Sequence, residues 1–114
     1  MVLNEILDAL KLQVLSGEGN LSQQVTSAYI SDILSDVMAK ARKGCLWITN
    51  QTHENVLAIV FFKGLAGVIF PDGLKPDDKV LAKAQEKKIP VLITDLTAFD
   101  VAGQLYALGI RGKA

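Results

Sequence analysis

Three short apolar runs at near-equal spacing constrain this chain more than any other feature. Cys45–Thr49, Gly67–Phe70 and Pro90–Thr94 are almost continuously apolar, and each gives way to a polar turn at Asn50, Asp72 or Asp95. Strands written in this way are covered on both faces, whereas a strand with one wet face alternates apolar and polar residues. Asn50 and Asp72 stand 22 positions apart, and Asp72 and Asp95 stand 23 apart, which is room for one helix and one strand. The pattern predicts repeated strand–helix crossovers and an α/β fold, a three-layer sandwich with a largely parallel sheet.

Helix signals fall between the runs. Thr97-Ala98-Phe99-Asp100 has the spacing of a capping box, and Pro76 before Asp77 and Asp78 sets φ and puts negative charge in a predicted first turn. Nearer the N-terminus, the pattern predicts a helix over Leu3–Leu10, a strand over Lys11–Leu15, a mobile loop over 16–20 and a strand over Val25–Ile30. Ser31 is the expected cap of a helix over Asp32–Arg42, closed by Gly44. No linker-like stretch divides the sequence, so a single domain over residues 1–114 is expected.

Composition narrows the function classes. Twelve basic residues balance twelve acidic ones, so no broad cationic field exists to drive phosphate-backbone binding, and nucleic acid is not an expected partner. The longest apolar stretch, from Val56 to Phe70, is broken by Lys63, Gly64 and Gly67, and no membrane span is expected. A lone cysteine and a start without basic residues point to the cytoplasm.

A parallel sheet gathers the turns that follow its strands at one rim, the usual place for ligands in such folds. That rim would hold Asn50, Thr52, His53, Asp72, Thr94, Asp95 and Thr97, which form the candidate ligand-binding set. His53, the only histidine, has the chemistry of a general base near neutral pH, and Asp72 or Asp95 has that of its orienting partner. The same residues have a plain structural role: Thr52 and Thr97 as helix caps, Asn50 and Asp95 as turn formers, and His53 exposed in a first turn. Cys45 reads as a buried thiol and Trp47 as core, and one Cys with one His does not make a zinc site. Gly17-Glu18-Gly19 lacks the third glycine of a dinucleotide fingerprint. No catalytic residue, cofactor or metal is therefore expected.

Val56 to Phe62 would wrap a helix on all sides with apolar groups. One side must cover the sheet, which leaves Leu57, Ala58, Phe61 and Phe62 as candidate interface residues and a homodimer as the expected state. The alternative is that the helix over Leu3–Leu10 covers this surface within one chain.

The order of these segments resembles the DRTGG domain and is similar to the N-terminal domain of bacterial HPr kinase/phosphorylase. The likeness is carried by Ser31-Asp32-Ile33-Leu34-Ser35-Asp36, Asn50–Asn55, Phe70–Gly73, Lys75-Pro76-Asp77 and Thr94–Phe99. The chain has Thr52-His53-Glu54 where the family often has Gly-Asp-Arg, and Pro71-Asp72-Gly73 where it often has Thr-Gly-Gly. The resemblance implies an accessory module that contributes to regulation or dimerisation without catalysis, as between the CBS domains of some pyrophosphatases. The expectation is a stand-alone regulatory or protein-interaction module, with a protein partner or a small regulatory ligand at the rim. The alternatives are a small enzyme using His53 with a rim aspartate, and a structural subunit of a larger assembly.

Overall fold

The computed structural model describes residues 1–113. In chain order the elements are α1 (Leu3–Leu10), β1 (Gln13–Ser16), a short 3₁₀ turn (Glu18–Asn20), β2 (Ser27–Ile30), α2 (Leu34–Lys40), β3 (Cys45–Ile48), α3 (Glu54–Lys63), β4 (Gly67–Phe70), α4 (Asp78–Glu86), β5 (Val91–Ile93) and α5 (Ala98–Ala107). The five strands lie in the order β1-β5-β4-β3-β2, with β2 to β5 parallel and β1 antiparallel at the edge. The fold is the expected three-layer α/β sandwich around a largely parallel sheet.

Every residue of β3, β4 and β5 is buried, which is why these strands read as unbroken apolar runs. Their alternate side chains fill two separate cores. Cys45, Trp47, Val68, Phe70, Val91 and Ile93 face α2, α3 and α4, whereas Leu46, Ile48, Ile69 and Leu92 face α1 and α5. The chain steps from β2 to β5 always to the neighbouring strand on the same side. Right-handed crossovers taken in one direction put all the connecting helices on one face. The opposite face is closed by α1, whose Leu3, Ile6, Leu7 and Leu10 repeat at helical spacing, and by Val101 and Leu105 of α5. Trp47 is fully buried, and its indole N–H donates to the Ser31 carbonyl at 2.9 Å, so its polar atom is satisfied inside the core.

Several boundaries differ from the sequence expectation for identifiable reasons. The loop expected to be mobile is pinned to the α4–β5 connection: the Ser16 hydroxyl donates to the Ile89 carbonyl at 2.6 Å, and the Asn20 amide donates to the Lys88 carbonyl at 2.7 Å. Gly17 makes this possible. Its φ is +79°, and an added Cβ would sit 2.4 Å from the Pro90 nitrogen. The second helix begins at Leu34 rather than Asp32, because the Asp32 carboxylate is engaged at the end of β3 and the Ser31 hydroxyl accepts from the Ile33 N–H. Pro76 lies before the helix it was expected to start, and Asp77 is the cap, accepting from the Val80 N–H at 2.9 Å. The Val56–Phe70 stretch divides into α3 and β4, and no helix among the described residues is long and apolar enough to cross a membrane.

At α5 the threonine half of the expected capping box is present, without a return bond from the Asp100 carboxylate among the described residues. The Thr97 hydroxyl accepts from the Asp100 N–H at 3.1 Å, satisfying one of the free donors of the first turn. Thr97→Ala is therefore expected to lower stability by about 1 kcal/mol in urea denaturation with the m-value unchanged; a neutral result would mean that this hydroxyl does not hold the helix start.

Candidate functional site

The turns expected at the strand ends do lie at one rim of the sheet, but they form two hydrogen-bonded groups rather than one constellation. The first surrounds Asp32. One carboxylate oxygen accepts from the Thr49 hydroxyl and the Asn50 N–H, both at 2.8 Å, and the other accepts from the Asn50 side-chain amide at 3.2 Å. Asn50 is thus a turn residue held by Asp32. These donors, the Asn50 backbone N–H foremost, hold the Asp32 carboxyl below the ordinary aspartate range.

The second group joins the β4–α4 and β5–α5 connections. The Asp72 N–H donates to the Leu96 carbonyl and the Gly73 N–H to the Thr94 carbonyl, each at 2.9 Å. Asp72 and Gly73 both have positive φ, +59° and +72°, which turns two successive N–H groups towards the neighbouring loop. The Thr94 hydroxyl accepts from the Leu96 N–H at 3.1 Å. An added Cβ at Gly73 would lie 3.2 Å from a carboxylate oxygen of Asp95, so a side chain there would require that carboxylate to give way by a few tenths of an ångström.

His53 belongs to neither group. It is the cap of α3, a role expected of Thr52: its Nδ1 accepts from the Asn55 N–H at 3.1 Å. That bond leaves the proton of the neutral ring on Nε2. No hydrogen bond joins His53 to Asp72 or Asp95 among the described residues. Thr52 is half-buried, and Thr97 caps α5. No group of three or more His, Cys, Asp and Glu side chains among the described residues is placed to hold a metal ion. Burial pushes the Cys45 thiol up, away from the thiolate form that reactivity requires.

Two hollows open beside the second group. One, of about 250 Å³, is bordered by Lys11, Gln13, Gly73, Lys75, Ile93, Thr94 and Asp95. The other, of about 520 Å³, shares Lys11, Thr94 and Asp95 and extends over Leu10, Leu96 and Gln104. Lys11, Gln13, Lys75 and Asp32 are absent from the sequence-derived set. The antiparallel pairing of Gln13 with Ile93 brings the first two to the rim, and no local pattern announces that pairing.

A third and larger hollow, of about 930 Å³, runs between α2, α3 and α4 on the outside of the molecule. Its walls include Met38, Ala58, Phe61 and Phe62, with Lys87 5.4 Å over the Phe61 ring. Phe61 and Phe62 are 63% and 77% exposed, whereas Leu57 is buried in the chain's own core. Of the four residues expected on an outer apolar surface, Leu57 is therefore the one turned inward.

The sequence model of the DRTGG domain family matches residues 5–108. The chain belongs to the DRTGG domain family. No curated protein sequence matches it. Among solved structures, this DRTGG domain is similar to the CBS and DRTGG domains of the regulatory region of a Clostridium perfringens pyrophosphatase, solved with its activator diadenosine tetraphosphate. The TM-score is 0.69 at 16% sequence identity, over 91% of this chain and 45% of that one. The likeness is one of fold, and the chain spans less than half of that regulatory region.

The Asp32 cluster has a pH signature. A carboxyl whose folded pKa lies below its unfolded value contributes stability that is complete above the ordinary aspartate range and is lost as pH falls through the lowered value. Asp32→Asn is expected to lower Tm at neutral pH and to flatten the fall of Tm between about pH 5 and pH 2. An unchanged profile in calorimetry would show that the cluster does not bear on stability.

Proposed function

We propose that this DRTGG domain is a regulatory module that acts by association, with the outer surface of α3 as its contact face and the strand-end rim as the place for a small ligand. The observation that carries the association is the pair Phe61 and Phe62, exposed side by side on a helix whose other side covers the sheet. The helix that was the alternative cover, α1, packs on the opposite face of the sheet. Exposed apolar surface of this kind, continued by Met38 across a groove, is characteristic of interaction sites.

The occupant we assign to this surface is a second copy of the chain. The exposed side of α3 begins with Glu54 and Asn55, has the small Ala58 at its middle and ends with Phe61, Phe62 and Lys63. Two such helices crossing antiparallel at Ala58 bring the acidic start of each towards the basic end of the other. The same arrangement opposes their dipoles favourably and lets the backbones approach closely.

The similarity in fold to a regulatory region solved with a nucleotide activator supports a regulatory role. An enzyme built on His53 is not favoured, since its Nδ1 is engaged by the helix it caps and no rim aspartate is bonded to its ring.

Light scattering at micromolar concentration tests the association. The expected result is a dimer that Phe62→Glu converts to a monomer with its helix content intact by circular dichroism. A monomeric parent, or a Phe62→Glu variant that still dimerises, would overturn the assignment of this face.

A further inference from the structure

The parallel strands have one place where consecutive connections part. The chain leaves β4 for α4 on one face and leaves β5 for α5 on the other, whereas the connections after β2 and β3 both go to the face of α4. Such a divergence opens a crevice beyond the strand ends. The two hollows bordered by Lys11, Thr94 and Asp95 lie there.

The lining of these hollows is divided by chemistry. Lys11 and Lys75 border the smaller one together. Among the described residues, only Lys40 and Lys83 pair with carboxylates, so the ammonium groups of Lys11 and Lys75 have no carboxylate partner among them. The Thr94 hydroxyl accepts from the Leu96 N–H, which leaves its proton for an acceptor in the crevice. Asp95 borders both hollows, where its carboxylate accepts hydrogen bonds and repels an anion placed against it. Leu10 and Leu96 supply an apolar wall to the larger hollow, with Gln104 beside them. The Asp72 and Gly73 N–H bonds to the opposite loop hold this lining in place without a ligand.

From this juxtaposition we infer that the crevice between the β4 and β5 connections binds a phosphate monoester of a hydroxylated molecule, a sugar phosphate or a nucleoside monophosphate. The phosphate lies between Lys11 and Lys75 and accepts from Thr94. The hydroxyls next to it donate to Asp95, and the remainder rests on Leu10 and Leu96. Two ammonium groups match a dianion better than a monocarboxylate, and a lone carboxylate beside them selects a ligand that carries donors next to its charge. The combined space falls within the range of small-molecule sites. This assignment rests on the rim reading of the proposed function and is independent of the α3 contact face.

The test is titration of the full chain with AMP, ribose 5-phosphate, adenosine and inorganic phosphate, followed by heteronuclear NMR. AMP or ribose 5-phosphate is expected to shift the amides of Gly73, Thr94 and Asp95, with adenosine at least about tenfold weaker than AMP. Ribose 5-phosphate binding as well as AMP would identify a sugar-phosphate site, and tighter AMP binding a nucleotide site. Lys75→Ala, at an exposed side chain with no hydrogen-bond partner in the fold, should weaken binding about tenfold with the spectrum otherwise unchanged. Asp95→Ala should weaken AMP but not inorganic phosphate. Absence of shifts with both phosphate esters up to about 10 mM, or affinity unchanged by Lys75→Ala, would overturn the inference. The parent chain separates the two assignments: a dimeric parent that binds no ester sinks this inference alone, and a monomeric parent that binds AMP sinks the α3 interface alone.

Discussion

Right-handed crossovers taken in one direction across a parallel sheet deliver every connecting helix to the same face, and the rest of this molecule follows from that constraint. With β2, β3, β4 and β5 laid down in order, α2, α3 and α4 share one face. The buried strands still need cover on the other side, and only the two ends of the helical sequence, α1 and α5, are free to provide it. The consequence for α3 is direct. It is the middle helix of its layer, apolar on all sides, and the one helix able to cover its outer surface is committed elsewhere. The exposure of Phe61 and Phe62 is thus a product of topology.

The same topology explains what was legible in the sequence. β3, β4 and β5 are buried on both faces, so each appears as an apolar run closed by a polar turn, and their spacing records the length of a crossover. The Thr97 cap was equally legible, because capping is a contact between residues three apart. Two of the misassigned features depend on partners distant in sequence. Asp32 reads as the first residue of a helix until Thr49 and Asn50 claim its carboxylate. The loop over residues 16–20 reads as mobile until Ile89 and Lys88 offer carbonyls to Ser16 and Asn20. His53 displaces Thr52 as cap because the chain enters α3 one residue later than the hydroxyl would suggest.

The rim shows how the structure divides a list of chemically suitable residues by what each is already doing. Asn50 is held by the Asp32 carboxylate, and His53 and Thr97 cap helices by accepting from backbone N–H groups. Asp95 is different: its exposed carboxylate borders two hollows, and the residues around them come from α1, β1, β5, α5 and the loops between elements. Lys11 and Lys75 were invisible as site residues because a lysine in sequence reads as solvated surface. Only the antiparallel return of β1 alongside β5 gives Lys11 a place at the rim. The β1 pairing is thus as important to the chemistry of this edge as the parallel repeat that dominates the sequence.

The two surfaces are physically connected through α4. The connection that leads into α4 carries Gly73 and Lys75 at the rim, and the body of the helix carries Lys83, which with Lys87 just beyond its end walls the groove beside α3. Lys83 pairs with Glu54 at the start of α3, and Lys87 lies over Phe61. The ion pair is exposed and contributes little to stability; with the ring contact it marks where the two helices meet. α4 is thus the element that touches both the rim connection and the groove beside α3. Coupling between sites requires an element that contacts both and has more than one position available to it. α4 meets the first requirement. Val80 and Ala84 are its buried residues, a narrow apolar strip compared with the four buried side chains of α3, so α4 is held less firmly to the sheet than the helix it touches.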